Sequence, residues 1–285
     1  MKAAPAADFF KKGTTMSDKY LLREDSPFSQ QLWERIDETV IGAAKSQLTA
    51  RRMLSIKGPY GLGLKALPSE DVTVEQKGGE GSTLKAGCAM PLTYIQSEFT
   101  LAARDIAAFE QYGLPLNLAS AGRAAINVAR QEDELVFNGA KQLNIKGLAN
   151  ADKSRSVKLS SWMEIGAAAD NIIDAVTSLD KAGFHGPYSM AIAPELYNLL
   201  YRRYPQGNTT ELEHVSQIIT DGIIKSPSIQ KGGLILCTCG PFASIAIGQD
   251  IMAGYIGPAG TEHQFFVSES AALWLTGPEA VCVIK

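Results

Sequence analysis

The stretch from Gly58 to Glu98 constrains the fold of this chain most, because it is poor in large apolar residues and cannot build a core of its own. Residues 71–75 alternate with the period of a half-buried strand, and 82–85 can return as its partner after the glycine-dense turn 77–81. An isolated two-stranded ribbon is marginally stable in water, and its open edges invite a second chain. We therefore expect an extended arm that a neighbouring molecule orders. A mobile surface hairpin is the alternative.

Composition places the remainder among soluble globular proteins. The 285 residues are 45% hydrophobic and 20% charged, which is close to the average. The net charge of −3 provides no broad attraction to phosphate backbones, so no nucleic-acid partner is expected. No window approaches the roughly 18 to 20 apolar residues of a membrane span, and residues 1–25, a predicted flexible arm, lack the apolar core of a secretory signal. We expect neither a membrane partner nor export.

The four cysteines are too few and too scattered for a disulfide framework. Cys88 and Cys282 stand alone, whereas Cys237 and Cys239 are two apart on a predicted strand. Their Cα separation there would lie near or beyond the range that a disulfide tolerates. We expect small buried apolar residues in a reducing, cytoplasmic compartment.

Periodicity indicates both helices and strands. Residues at a spacing of four form an apolar stripe after Ser26, and Trp33 lies off that stripe. The stripe comprises Leu32, Ile36, Val40, Ala44 and Leu48. Further helices are predicted at 118–137, 162–181, 194–203 and 211–220, and short strands at 188–193, 234–239, 243–248, 265–269, 271–275 and 280–284. Because helices and strands do not alternate regularly, the fold class is α+β.

Catalytic motifs are missing from the sequence. His185, His214 and His263 lie in three different segments, and Glu211 with His214 forms only half of a di-iron pattern. The chain has no Gly-x-Ser-x-Gly elbow, His-Glu-x-x-His helix or phosphate-binding lysine loop. We expect no metal site and a structural role. A soluble enzyme with an unrecognised active site is the alternative.

Several short segments carry a resemblance through their order and spacing. They are Gln47-Leu48-x-x-Arg51-Arg52, Gly58-Pro59-Tyr60-Gly61, Glu98-Phe99-Thr100-Leu101, Glu132 to Phe137 with Gly139, Ile145 to Leu148, Gly186-Pro187-Tyr188, Pro227, Gly248-Gln249-Asp250 and Pro278-Glu279-Ala280. In this order, from Ser26 to Lys285, the chain resembles the encapsulins, which form bacterial and archaeal nanocompartments.

The resemblance implies the HK97 phage-capsid-like fold and a non-enzymatic subunit of an icosahedral shell. It assigns 26–57 to a lumen-facing N-terminal helix and 58–98 to the extended arm, or E-loop. It assigns 99–160 and 248–285 to a peripheral domain, and 161–247 to an axial domain. A major capsid protein of a tailed phage or prophage shares the fold and is the second reading.

The resemblance also implies partners and sites. The chain would bind itself and a cargo protein that bears a short targeting peptide: a ferritin-like protein, a haemerythrin, a dye-decolorising peroxidase or an iron-mineralising protein. The openings Asp25 to Phe28 and Asp37 to Ala44 resemble shells with the iron-mineralising cargo. The cargo peptide would contact Leu32, Trp33, Ile36 and Val40, and the fivefold pore loop would comprise Tyr204, Pro205, Gln206, Gly207, Asn208, Thr209, Thr210 and Glu211.

Some encapsulins stack a flavin on a tryptophan near the Phe-Thr-Leu segment. In this chain the matching position is Arg104, so no cofactor is expected.

Overall fold

The computed structural model describes residues 20–77, 82–205 and 207–285, and the side chains of these residues except 69–77 and 84–88. The predicted arm 1–25 therefore lies largely outside the described residues, as do most of the turn 77–81 and Gln206 of the predicted pore loop.

Helices and strands are mixed in one chain. The helices are α1 (Gln30–Gln47), α2 (Ala103–Tyr112), α3 (Ala119–Asn138), α4 (Ala167–Asp180), α5 (Pro194–Leu199) and α6 (Glu211–Ile218). The strands are β1 (Ser55–Lys57), β2 (Ala66–Lys77), β3 (Thr83–Pro91), β4 (Thr93–Ala102), β5 (Gly139–Ala140), β6 (Ile145–Lys146), β7 (Arg155–Val157), β8 (Tyr188–Ile192), β9 (Ile223–Lys225), β10 (Gly233–Cys237), β11 (Ala243–Ile247), β12 (Met252–Ala259), β13 (Glu262–Leu275) and β14 (Val281–Ile284). The predicted α+β class is confirmed.

The first sheet is organised around the long strand β13. Strands β4, β11 and β12 pair antiparallel to β13, and β1 pairs parallel to β11. Phe99 of β4 lies opposite Phe265 of β13, and their rings stack with centroids 5.2 Å apart. Helices α1 and α3 cover this sheet, and together they form one hydrophobic core.

The second sheet has the strand order β7-β14-β10-β8-β9. Strands β8, β10 and β14 are buried along their whole length, as expected for central strands that are covered on both faces. Helix α4 packs on this sheet through Ala168, Ile172, Ala175 and Leu179 and completes a second core.

Two short crossovers join the sheets. Residues 238–242 lead from β10 to β11, and residues 276–280 lead from β13 back to β14. The amides of Thr276 and Gly277 both donate to the carbonyl of Phe242, at 2.8 and 3.0 Å. The two crossovers therefore support one another.

The sheets do not follow the predicted domain division. The first six residues of strand β4 lie inside the expected arm 58–98, yet β4 pairs with β13 over ten residue pairs and belongs to the body. Strands β7 and β14, expected in the peripheral parts 99–160 and 248–285, belong to the second sheet. The division differs because β13 and β14 are neighbours in sequence but pair with different sheets.

Several predicted helix and strand boundaries are wrong for local reasons. Helix α4 begins at Ala167 rather than near Trp162, because Trp162 turns inward and donates from Nε1 to Asn171 Oδ1 at 3.1 Å. The predicted strands 265–269 and 271–275 form one continuous strand. Helix α2 and strand β12 were not predicted, whereas the helix predicted at 118–137 is confirmed and ends at Asn138, with Gly139 as its C-cap.

Candidate assembly surfaces and the buried network behind them

The root of the arm is fixed to the first sheet. After β1, Gly58 adopts a φ of +111°, and a Cβ there would lie 2.4 Å from the carbonyl oxygen of Ile247. The amide of Tyr60 donates to this same oxygen at 2.9 Å, and Gly61 donates to Gly248 O at 2.6 Å. Only glycine permits so close an approach at this φ, so the Gly-Pro-Tyr-Gly segment anchors the start of the arm.

Beyond this root, β2 and β3 form a hairpin that belongs to neither sheet. They pair antiparallel from Ala66 opposite Pro91 to Lys77 opposite Thr83. Within the described chain neither strand pairs with any other strand, so each has one edge without a strand partner. A strand of twelve residues has a contour length of roughly 40 Å. The hairpin arm (residues 66–91) is therefore a long ribbon with two open edges.

The hairpin is irregular partway along its length. Between the pairs Pro68–Ala89 and Thr73–Gly87, four residues of β2 face one residue of β3. Extra residues of this kind bend and twist a ribbon. The ribbon is therefore expected to bend and twist at this irregularity.

The four residues of α1 that were predicted to contact a cargo peptide pack α1 against the first sheet. Leu32 and Ile36 have no exposed area, Val40 is 1% exposed and Trp33 7%. They pack with α3, β12 and β13 in the first core. The prediction that they line a peptide groove is therefore wrong for this subunit, because a peptide could reach them only if α1 left the sheet. Trp33, one position off the stripe, also faces inward and donates to Ser26 Oγ at 3.0 Å.

The exposed apolar side chains near the start of α1 lie elsewhere. Leu22 is 43% exposed and Ile256 of β12 is 42% exposed. The backbones just before them are joined, because Tyr255 N donates to Leu21 O at 2.9 Å. The ring of Phe28 packs against those of Tyr255 and His263, with centroids 5.2 and 4.9 Å apart.

The predicted pore loop connects α5 to α6. Pro205, Gly207, Asn208 and Thr209 are exposed, and Tyr204 N donates to Thr209 O at 3.1 Å and narrows the loop. Thr210 ends it as the N-cap of α6, with its Oγ1 accepting from Glu213 N at 3.2 Å. The loop thus presents small polar groups to solvent.

Glu211 was predicted to be part of the solvent-facing loop. Its side chain lies instead in the core around the second sheet. Its side chain is fully buried and accepts from Arg202 at 2.8 Å and from Gly166 N at 2.8 Å. Arg202 also donates to the carbonyls of Trp162 and Met163. This ion pair ties both ends of the loop to the segment before α4, so the loop has a fixed base.

Three of the resemblance-carrying segments meet in a buried network around Arg51. Its guanidinium donates to Glu132 of α3 at 2.8 to 3.0 Å, to Asp250 at 2.9 Å and to Glu269 of β13. Glu132 and Glu269 have no exposed area. Burial and the nearby Glu132 raise the pKa of Glu269 well above its usual range, and the charge of Arg51 opposes this shift. Sequence reasoning missed this network, although a glutamate within the apolar stripe of α3 signalled it.

The next residue of α3, Asp133, holds the segment after α1. Its carboxylate accepts from the amides of Thr49 and Ala50, at 2.9 and 2.8 Å, and from Thr49 Oγ1 at 2.6 Å. Burial raises the pKa of Asp133 to about 6, although these hydrogen bonds oppose the shift. Two adjacent carboxylates thus join α1, α3 and the first sheet.

The remaining candidate residues are dispersed. Arg104 is exposed at the second position of α2. His214 contacts Tyr204 Oη at 2.8 Å, and His263 contacts Tyr255 Oη at 2.9 Å, in different parts of the fold. Over residues 20–77, 82–205 and 207–285, no cluster of three or more potential metal ligands occurs, and no helix is long and apolar enough to cross a membrane.

Known proteins resemble this chain in both sequence and fold. A family model described as "Encapsulating protein for peroxidase" matches residues 18–272. A type 1 encapsulin shell protein, EncA, of Myxococcus xanthus is 31% identical over 276 residues, which are 93% of this chain and 96% of that protein. The chain belongs to the encapsulin family.

Solved structures show the fold independently of close sequence similarity. The virus-like particle from Pyrococcus furiosus matches with a TM-score of 0.71 at 19% identity, covering 90% of this chain and all of that one. The capsid of Myoviridae phage XM1 matches with a TM-score of 0.59 at 13% identity, covering 83% and 91%. This encapsulin chain therefore has the phage-capsid fold that the sequence predicted.

Proposed function

We propose that the chain is a structural subunit that closes with copies of itself into a hollow icosahedral shell, within which a cargo protein is held. The hairpin arm supports this most directly, because its two open edges have no strand partner in the described chain. Head-to-tail contacts close into rings when the rotation between subunits permits. An arm that lies across an adjoining subunit would join neighbours in this way.

Shortening the hairpin arm tests the proposal. Replacing residues 69–88 with Asn-Gly, a favoured two-residue hairpin turn, removes most of the ribbon but keeps its root at Gly58 and Leu92. We expect folded subunits that remain small by size-exclusion chromatography, with a near-ultraviolet circular dichroism spectrum like that of the wild type. Shells of normal size from this variant would contradict the proposed role of the arm.

The loop between α5 and α6 is proposed as the pore loop around the fivefold axis. Its exposed groups are Pro205, Gly207, Asn208 and Thr209, and the buried Arg202–Glu211 pair keeps its base rigid. In this arrangement the buried Glu211 stabilises the base of the loop, and its charge does not face the channel.

A cargo-peptide surface is proposed beside Leu22 and Ile256. An extended peptide with aliphatic anchors requires exposed apolar area next to an ordered edge, and these two side chains supply it where α1 meets β12. The family description, which names a peroxidase, and the sequence resemblance around Asp25 and Asp37 favour cargo with iron or peroxide chemistry. The shell itself is proposed to lack enzymatic activity and a flavin, since Arg104 offers a cation where a stacking ring would be needed, and to lie in the cytoplasm.

Substituting Ile256 tests this surface. Ile256→Asp should leave shells intact but reduce the co-purified cargo by more than about tenfold, because a buried unpaired carboxylate opposes docking. Ile173→Asp is the matched control, since Ile173 is also 42% exposed but lies on α4. Cargo content is measured by mass spectrometry of purified shells. Equal cargo in both variants would remove Ile256 from the binding surface.

A phage or prophage capsid subunit is the second candidate, because the fold also matches that of a phage capsid. A capsid would package nucleic acid, whereas the proposed shell holds protein and has no basic excess to attract phosphates. The nucleic-acid content of nuclease-treated particles separates the two. Protected genomic DNA would favour the capsid.

A further inference from the structure

Cys237 and Cys239 lie side by side at the start of the crossover from the second sheet to the first. Their Sγ atoms are 2.7 Å apart. Cys237 is the last residue of β10 and is fully buried, whereas Cys239 is exposed at a bend just beyond the strand. The sequence predicted two buried cysteines with a Cα separation near or beyond the range that a disulfide tolerates. The predicted burial is wrong for Cys239, because β10 ends before it and the chain bends.

The residue between the two cysteines holds them in this arrangement. Thr238 donates to the carbonyl of Pro187 twice, from its amide at 2.8 Å and from Oγ1 at 3.1 Å. Anchoring Thr238 fixes the backbone between the two cysteines, whose Sγ atoms face each other. The pairing thus results from fixed backbone geometry.

A bond between the thiols suits this geometry better than a shared metal ion. A tetrahedral zinc ion with Zn–S bonds of about 2.3 Å keeps two thiolates about 3.8 Å apart, which is farther than these sulfur atoms. No third cysteine, histidine or carboxylate completes a metal cluster among the residues that the structure describes. The hydrogen bond with Cys237, together with burial, raises the pKa of Cys239.

We propose that Cys237 and Cys239 form a reversible intrachain disulfide, a redox-sensitive staple at the joint between the two sheets. With hydrogen peroxide as oxidant, the exposed Cys239 thiol is oxidised to a sulfenic acid and releases one water. The Cys237 sulfur then attacks the Cys239 sulfur, the S–S bond forms, and the sulfenic oxygen leaves as a second water. A dithiol reductant restores both thiols by exchange.

The position of the pair gives the bond a structural consequence. Residues 238–242 form one of the two crossovers, and Phe242 receives the hydrogen bonds that join it to the other. Phe242 also packs edge-on against Phe184, with centroids 5.3 Å apart. A closed ring at 237–239 therefore stiffens the joint between the sheets. It adds little to global stability, because the loop that it closes is very short.

The full-length assembled protein is treated with hydrogen peroxide, the remaining thiols are alkylated, and the peptides are analysed by mass spectrometry. We expect the peptide with Cys237 and Cys239 to lose two hydrogen atoms and to regain them with dithiothreitol. Cys282 is the internal reference, since it is fully buried and burial raises its pKa to about 11. The pair should lose free thiol at least about tenfold faster than Cys282, because exposed thiols react first.

Two variants make the result decisive. Cys239→Ser should leave Cys237 reduced under the same treatment, and Cys237→Ser should trap Cys239 as a sulfenic acid that a dimedone probe captures. In the oxidised wild type, hydrogen exchange at 238–242 and 276–277 should slow by about threefold or more as local opening is suppressed. The proposal is overturned if both thiols remain alkylatable, if Cys239 proceeds to a sulfinic acid with Cys237 intact, or if exchange at the joint is unchanged. These readouts depend on the subunit's own thiols and stand apart from the test of shell formation.

Discussion

Glu132 and Asp133 are consecutive on α3 yet perform different tasks. Glu132 pairs with the guanidinium of Arg51, and Asp133 accepts hydrogen bonds from Thr49, which lies two residues before Arg51. Both carboxylates are buried. A buried charge is tolerated only when it is paired and hydrogen-bonded, so these side chains specify how α1 and α3 meet.

Removing Arg51 should therefore be costly. Arg51→Ala leaves Glu132 and Glu269 buried without their cation, and we expect a loss of about 3–5 kcal/mol in the free energy of unfolding. Arg35→Ala is the control, because the Arg35–Glu38 pair is exposed and contributes roughly 0–1 kcal/mol. Chemical denaturation of the two variants measures the difference, and similar losses would show that the network adds no stability.

Asp133 should give stability a specific dependence on pH. Its folded pKa of about 6 lies above the ordinary value of 3.8 for an aspartate, so between these values the folded state binds more protons than the unfolded state. The free energy of unfolding should fall as pH rises through this window and level off above about 6. Thermal midpoints across this range test it, and Asp133→Asn, which cannot titrate, should show a shallower slope than wild type. Equal slopes in both proteins would contradict the assignment.

At the scale of elements, a strong periodic pattern predicted both the long helix α3 and the inward stripe of α1, because an apolar stripe at helical spacing has few alternatives. The same stripe misled the assignment of function. Leu32 and Ile36 were assigned to a groove, whereas burying them is what attaches α1 to the sheet. Sequence pattern shows which face of a helix is apolar, but the same pattern serves a core and a docking surface.

Long-range contacts explain the other features that the sequence did not predict. Strand β12 contains two glycines and a proline, which weaken its strand signal, and it forms because β13 pairs with it along seven residues. The Arg51 network joins residues up to 218 positions apart. A single sequence read alone carries no signal for such a pairing beyond a charge in an apolar stripe.

The arm root offers an element-scale test. Gly58→Ala should destabilise the subunit by about 1–3 kcal/mol, because a Cβ meets Ile247 O at a positive φ. Gly63→Ala is the control, since a Cβ there has no neighbour within 4 Å and the backbone is not in the positive-φ region. Thermal midpoints and particle yield distinguish the two. Unchanged behaviour of Gly58→Ala would show that the root is not held by this contact.

At the scale of the whole molecule, two sheets with their helices form complete cores, and the hairpin arm remains outside both. The body can thus fold by its own packing, whereas the ribbon needs a surface that its own sheets do not supply. The encapsulin family and the phage-capsid fold provide the setting in which a second copy supplies that surface.

The most direct measurement is a cryo-electron microscopy reconstruction of the full-length protein purified without added partners. The account predicts closed, hollow particles of icosahedral symmetry in which residues 66–91 of each subunit lie across an adjacent copy. A monomeric protein, or particles in which this hairpin folds back against the sheets of its own subunit, would contradict it.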